Sequence, residues 1–325
     1  MINGVLVIDK PQEMTSFDVV AIMRRTLKIK KIGHTGTLDP MATGVLPICI
    51  GDATKIVDFL MDQFKCYRCT MKLGRSTDTG DIWGTTKEIK PVPLLEEVEI
   101  IKTIQSFIGD IEQVPPMYSA LKVNGQKLVD LARKGIEVER KSRCITIFYI
   151  KDIVIQNDEI QFEVKCSKGT YIRTLCEDIG IKLGTVSHMI SLVRTASAPF
   201  YLEDAIPIRE ITPEIAMAKI ISVEDALVHF PAINFTLNDF RTQQIFNGVK
   251  FTLEDYIDSD FKRDNMGKNL FVSRVDDESE LIMNSKEMLE NCNSGFYRVF
   301  VNGIFFGIAE KIDGYLKIRK RFNQG

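Results

Sequence analysis

The chain has 325 residues, 45% of them hydrophobic and 26% charged, which excludes a disordered polymer and suggests about two domains at ~150 residues each. No run approaches the ~20 consecutive apolar residues of a membrane helix. Residues 1–8 reach Asp9-Lys10-Pro11 without the basic flank and apolar stretch of a signal peptide. Seven cysteines scattered from Cys49 to Cys292 read as free thiols in a reducing compartment, so a cytoplasmic location is expected. A net charge of −2 provides no global attraction to nucleic acid, and any such role must rest on local clusters. Arg24, Arg25, Lys28, Lys30 and Lys31 form one cluster, and Lys311, Lys317, Arg319, Lys320 and Arg321 another. Either can be a solvated face or a phosphate contact. Acids gather between Glu254 and Glu290.

In chain order, residues 1–8 read as a short apolar strand. Thr15 and Asp18 have capping-box spacing and open a helix to about Leu27. Asp52 is expected to cap a second helix with Ile56, Val57 and Leu60 on its inner face. From Tyr67 to Leu73, apolar Tyr67, Cys69, Met71 and Leu73 alternate with Arg68, Thr70 and Lys72, the pattern of a half-buried strand. Ile160 to Cys166 alternates in the same way. Ser167-Lys168-Gly169-Thr170 breaks that strand, and Ile172, Leu175, Cys176, Ile179 and Leu183 then recur at helical spacing, with Gly184 placed as the stop. Short β runs follow from about Ile233. Among them, Asn302-Gly303 marks a hairpin between two apolar strands. The expected fold class is α+β: a mixed, largely antiparallel sheet domain over 1–232 and a small β-rich domain over 233–325.

Cys66 and Cys69 form a C-x-x-C pair, but on a strand positions three apart point to opposite faces and do not share an ion. The three histidines, His34, His188 and His229, lack ligand spacing, so no metal is expected. Neither phosphate-loop pattern is present, and no G-x-S-x-G elbow supports a serine hydrolase. The segment from Gly33 to Gly44 is different: three glycines, a proline and several hydrogen-bonding groups suggest a loop that approaches a ligand closely. Its one carboxylate, Asp39, can be functional or can close an Asx turn on its own backbone. Arg173 falls in the first turn of its helix, where a cation opposes the dipole by about 0.3–1 kcal/mol unless an anion lies near. Tyr67 opens the inward face of its strand, so its hydroxyl needs a partner or a cleft. Leu192 reads as core.

Six blocks carry a resemblance. They are Asp9-Lys10-Pro11, the Gly33–Pro47 loop, Lys65-Cys66-Tyr67-Arg68, the run from Leu73 to Asp81, the run from Pro115 to Lys122, and the run from Cys166 to Leu175. Their order resembles that of the TruB family of tRNA pseudouridine synthases, and the tail through Gly307, Gly314 and Lys320 resembles more weakly a PUA domain. The resemblance implies an isomerase of the T-loop uridine at tRNA position 55 that needs no cofactor. It makes Asp39 the nucleophile, stacks Tyr67 on the target base with a part in proton transfer, and pairs Arg173 with Asp39. It sets Leu192 beside the base, His34 in the space the flipped base vacates, and Tyr171 and Asp81 near the RNA. The expected partner is the tRNA T-arm, with no membrane and no protein partner, the chain acting as a monomer. Val129, Ala198 and the single basic residue of Leu192-Val193-Arg194 depart from the family pattern, as does the acidic stretch. Two other readings remain at this level: a non-catalytic RNA-binding or RNA-folding module on the same fold, and a hydrolase that uses Asp39 with water.

Overall fold

A computed structural model of the chain describes residues 2–235, 251–252, 295–312 and 315–322. Cys292, Gly314 and the acidic stretch 254–290 lie outside the described residues. The chain divides into two compact units, Met1–Ala226 and Leu227–Gly325. Among the described residues, no helix is long and apolar enough to cross a membrane.

The N-terminal unit is built on a ten-stranded sheet. Its main path runs Ile206–Pro207, Gly4–Lys10, Thr43–Ile50, Ser187–Ser197, Lys65–Leu73, Glu159–Cys166, Arg143–Gln156 and Gly109–Gln113. Two of these contacts are parallel, Gly4–Lys10 with Ile206–Pro207 and Thr43–Ile50 with Ser187–Ser197; the others are antiparallel. The mixed, largely antiparallel sheet expected from the sequence is therefore present. The strand bearing Tyr67 shows the alternation as burial, with Cys69, Met71 and Leu73 inward and Arg68 exposed. Cys66 and Cys69 diverge as the strand period requires: Cys66 Sγ lies 3.7 Å from the Tyr149 hydroxyl, and Cys69 Sγ 3.5 Å from Cys176 Sγ.

The first helix, Ser16–Leu27, begins with the capping box. Thr15 N–H donates to the Asp18 carboxylate at 2.9 Å, and Asp18 N–H donates to Thr15 Oγ1 at 3.1 Å. Val19, Val20, Met23 and Leu27 are buried on one face. Within the first basic cluster, Arg24 turns inward to the Ile32 carbonyl at 2.8 Å, and Lys31 pairs with Asp52 at 2.8 Å.

Asp52 is not a helix cap. Gly51–Ile56 is a tight 3-10 segment flanked by Ile50, and an α-helix follows only at Val57–Met61. The Asp52 carboxylate instead accepts Lys31 and, at 3.2 Å, Lys55. Asp52 lies within the 3-10 segment rather than ahead of it, so its side chain reaches the two lysines instead of the first free N–H groups. The helix expected after residue 170 spans Ile172–Lys182 and buries Ile172, Leu175, Cys176 and Ile179. It stops at Leu183, followed by Gly184 at φ +83°, the left-handed conformation that favours glycine.

The C-terminal unit holds a five-stranded sheet in the order Ala232–Phe235, Gly295–Val301, Ile304–Ile312, Tyr315–Arg321, Phe251–Thr252. Asn302 and Gly303, both at positive φ, make the expected hairpin turn. Ile233, Phe235, Tyr297, Val299, Phe306 and Leu316 belong to a core of its own. Alternation on the last strand exposes Lys317, Arg319 and Arg321, with Arg319 paired to Glu310.

Candidate active site

The loop from Gly33 to Gly44 is held at several points. Ser16, the first residue of the first helix, is 1% exposed and brackets Leu38: Leu38 N–H donates to Ser16 Oγ at 2.8 Å, and Oγ donates to the Leu38 carbonyl at 3.2 Å. The turn after Asp39 closes when Ala42 N–H donates to the Asp39 carbonyl at 3.0 Å. The Pro40 carbonyl accepts Glu13 N–H at 2.9 Å and Lys10 Nζ at 3.5 Å. Gly44 leaves the loop at φ +99°, where a Cβ would fall 2.3 Å from the Arg194 carbonyl oxygen, so the close approach of two strands requires glycine there. With the backbone held in this way, the Asp39 side chain is free to face outward from the loop, and it does not form the Asx turn.

Its partner is Arg173. Arg173 Nε lies 3.0 Å from Asp39 Oδ2, and Nη2 donates to Oδ1 at 3.4 Å. The remaining donors reach the Thr79 carbonyl through Nη1 and the Tyr118 carbonyl through Nη2, both at 2.7 Å. A buried cation in the first turn of a helix is thus surrounded by one carboxylate and two carbonyls, which offset the dipole penalty. The start of the helix is itself clamped. Gln113, 2% exposed, accepts Tyr171 N–H at 2.8 Å and donates to the Tyr171 carbonyl at 3.1 Å.

Burial raises the Asp39 carboxyl above its ordinary range, Arg173 and Lys10 pull it down, and Asp81 adds to the upward push. The guanidinium therefore opposes desolvation without overcoming it. Lys10 is fully buried, with Nζ donating to the Met14 and Pro11 carbonyls at 2.7 and 2.8 Å, and burial lowers it to about 8.

Asp39 opens onto a pocket of about 540 Å³ also lined by Tyr67, Tyr171, Arg173, Leu192 and Arg194. Five of the seven residues singled out in the sequence therefore meet in one cavity. Tyr67 is half-buried, and its hydroxyl, raised to about 12 chiefly by burial, interacts with the Arg194 guanidinium. Leu192 is 7% exposed and supplies an apolar wall. His34 and Asp81 are not in the lining. His34 ends the short strand Ile32–His34, with Nδ1 accepting Gly36 N–H at 3.2 Å. The Asp81 carboxylate organises its own loop, accepting Thr79 Oγ1 at 2.7 Å and Trp83 N–H at 3.0 Å.

Sequence reasoning missed Gln113, Lys10 and Arg194. Lys10 and Arg194 lay inside quoted motifs without a role, and for Arg194 a signal was available, since two positions along a strand from Leu192 is the same face.

Comparison with known proteins bears on the family and the fold. Residues 24–172 match the TruB family pseudouridylate synthase N-terminal domain, and residues 173–230 match the tRNA pseudouridylate synthase B C-terminal domain. A protein of Clostridium perfringens (strain SM101) named tRNA pseudouridine synthase B is 45% identical over 320 residues, which cover 98% of each chain. One of the same name from Clostridium acetobutylicum is 49% identical over 248 residues, 76% of this chain and 85% of the relative. Among solved structures, a chain in the crystal structure of a Cbf5-Nop10-Gar1 complex shares the fold, with a TM-score of 0.68 at 23% identity, covering 98% of this chain and 85% of that one. The chain belongs to the TruB family of pseudouridylate synthases.

Proposed function

We propose that the chain isomerises the T-loop uridine of tRNA, position 55, with the Asp39 carboxylate as nucleophile. Conversion of uridine to pseudouridine in tRNA is the activity that its family membership carries. The observation that supports the residue assignment is the Asp39–Arg173 contact at 3.0 Å in a pocket walled by Tyr67 and Leu192.

In this reading, an ionised Asp39 oxygen bonds to C1′ of the everted nucleoside, and the C1′–N1 bond breaks with its electron pair staying on the uracil ring. The loose base turns within the pocket, and C5 bonds to C1′ as the carboxylate leaves. The hydrogen at C5 departs as a proton and N1 gains one, so the sum is an isomerisation without cofactor. Arg173 holds the carboxylate in line. Tyr67 stacks on the base and takes part in the proton transfer. Leu192 limits the space in which the ring turns and keeps water away. Eversion costs a few kcal/mol, offset by stacking on Tyr67 and by His34 filling the vacated place. Tyr171 and Asp81 stand near the flanking RNA. Residues 1–232 act as the catalytic domain and 233–325 as a PUA-like RNA-binding domain, the whole working as a monomer on the T-arm.

The test is to map modified bases in unmodified tRNA treated with the purified chain. Pseudouridine confined to the T-loop position is expected. Free uracil would mark a hydrolase, and unchanged RNA that is nonetheless bound would mark a binding module.

A further inference from the structure

Arg194 lies in the middle of the strand Ser187–Ser197, 1% exposed and among the largest fully buried side chains of the molecule. Among the described residues, no carboxylate lies within 4.0 Å of it, so its charge is not spent on an ion pair. Its bonds go elsewhere. Nε donates to the Val45 carbonyl at 2.6 Å, and Nη2 donates to the Gly36 carbonyl at 3.2 Å, three residues before Asp39. In the sheet, Arg194 is register partner to Tyr67 on one side and to Gly44 on the other. Arg194 and Tyr67 face each other across the strands, so their side chains lie on one face of the sheet, and the Arg194 charge favours the ionised form of the Tyr67 phenol. A guanidinium has five donors and no acceptor, so toward a neighbouring phenol it can only donate, and the phenol oxygen accepts. The phenol proton is then left for another acceptor. Arg194 and Tyr67 both line the pocket.

We infer that Arg194 is a positioning residue: it fixes the Tyr67 phenol, with its proton turned away from the guanidinium, relative to the loop that carries Asp39. This rests on the proposed roles of Asp39 and Tyr67. A lysine keeps the charge but loses the planar fork that reaches two carbonyls while facing the phenol. Fixing two reacting groups relative to each other is an effect on the reaction step, and a displacement of about 1 Å costs on the order of 10²-fold in rate.

The experiment is a double-mutant cycle of Arg194→Lys and Tyr67→Phe, read as single-turnover rates at saturating tRNA, alongside tRNA affinity and thermal melting. Arg194→Lys should lose on the order of 10²-fold in rate with affinity nearly unchanged. The double variant should be no slower than the slower single variant, because Arg194 acts through Tyr67. A wild-type rate for Arg194→Lys, a loss confined to tRNA affinity, or losses that multiply in the double variant would each overturn the inference. If Arg194→Lys shows no cooperative melt, Arg194→Gln, which retains donors for the carbonyls, takes its place in the same cycle. Failure of the wild-type chain to form pseudouridine would instead count against the proposed function.

Discussion

The two buried arginines of the pocket come from regions that hold a cation in different ways. Arg173 sits at the start of a helix, against the dipole, and is satisfied by a carboxylate at 3.0 Å and two carbonyls at 2.7 Å. Arg194 sits in mid-sheet, bonded to two carbonyls, with Tyr67 as its cross-strand neighbour and no acid within 4.0 Å among the described residues. The first arrangement aims positive charge at the group that must be ionised. The second uses the fork as a brace between the catalytic loop and the strand of Tyr67. The difference also decides what each leaves in the sequence, for Arg173 violates a local rule whereas Arg194 sits on a strand that otherwise reads as ordinary core.

The largest effect that bears on this contrast is expected from Arg173→Lys. A point charge cannot serve Asp39, Thr79 and Tyr118 together, so turnover at saturating tRNA should fall on the order of 10²–10³-fold with little change in affinity. Affinity lost while turnover holds would break the contrast by making Arg173 an RNA contact.

A smaller effect is expected at Gln113, whose two bonds fix the start of the Arg173 helix. Gln113→Leu leaves the Tyr171 N–H unpaired, while the Tyr171 carbonyl keeps the helical bond from Leu175 N–H at 3.0 Å, and should cost about 1–3 kcal/mol in denaturant unfolding. It should also lower turnover, by less than Arg173→Lys. Undiminished stability would show that the clamp is dispensable.

The smallest effect is a displacement of the pH profile. The folded Asp39 carboxyl is raised by burial, and only the ionised form attacks, so activity should be lost on acidification at a pH above the usual aspartate range. Lys10 pulls that carboxyl down. Removing the cation in Lys10→Met disfavours the ionised form further, and the acid limb should move to higher pH. A limb that moves down or stays in place would show that Lys10 acts on the loop only through its carbonyl contacts.

Much of this arrangement was legible in the sequence because it follows local periodicity. The alternation from Tyr67 to Leu73, the Thr15 and Asp18 box, the helix ended by Gly184 and the Asn302-Gly303 turn each depend on residues close together in the chain. Asp52 was misread because its lysine partner Lys31 comes from 21 residues away, a distance that capping rules do not see. Gln113 and Tyr171 meet across 58 residues, and Arg194 and Gly36 across 158, so their roles exist only once the sheet is assembled. The net direction at Asp39 was equally hidden: the Arg173 charge could be anticipated from the motif, whereas the loss of water around this half-buried carboxylate, which outweighs it, is a property of the folded pocket.

The most direct measurement of the account is the rate of pseudouridine formation by Asp39→Asn in excess over T-arm RNA, with binding followed in parallel. Asparagine keeps the size and loses the charge that makes the oxygen a nucleophile. The account predicts no detectable product and RNA affinity within a few-fold of the parent chain, as expected when an interaction made only in the reaction is removed. Pseudouridine formed by the variant at an appreciable fraction of the parent rate would contradict it.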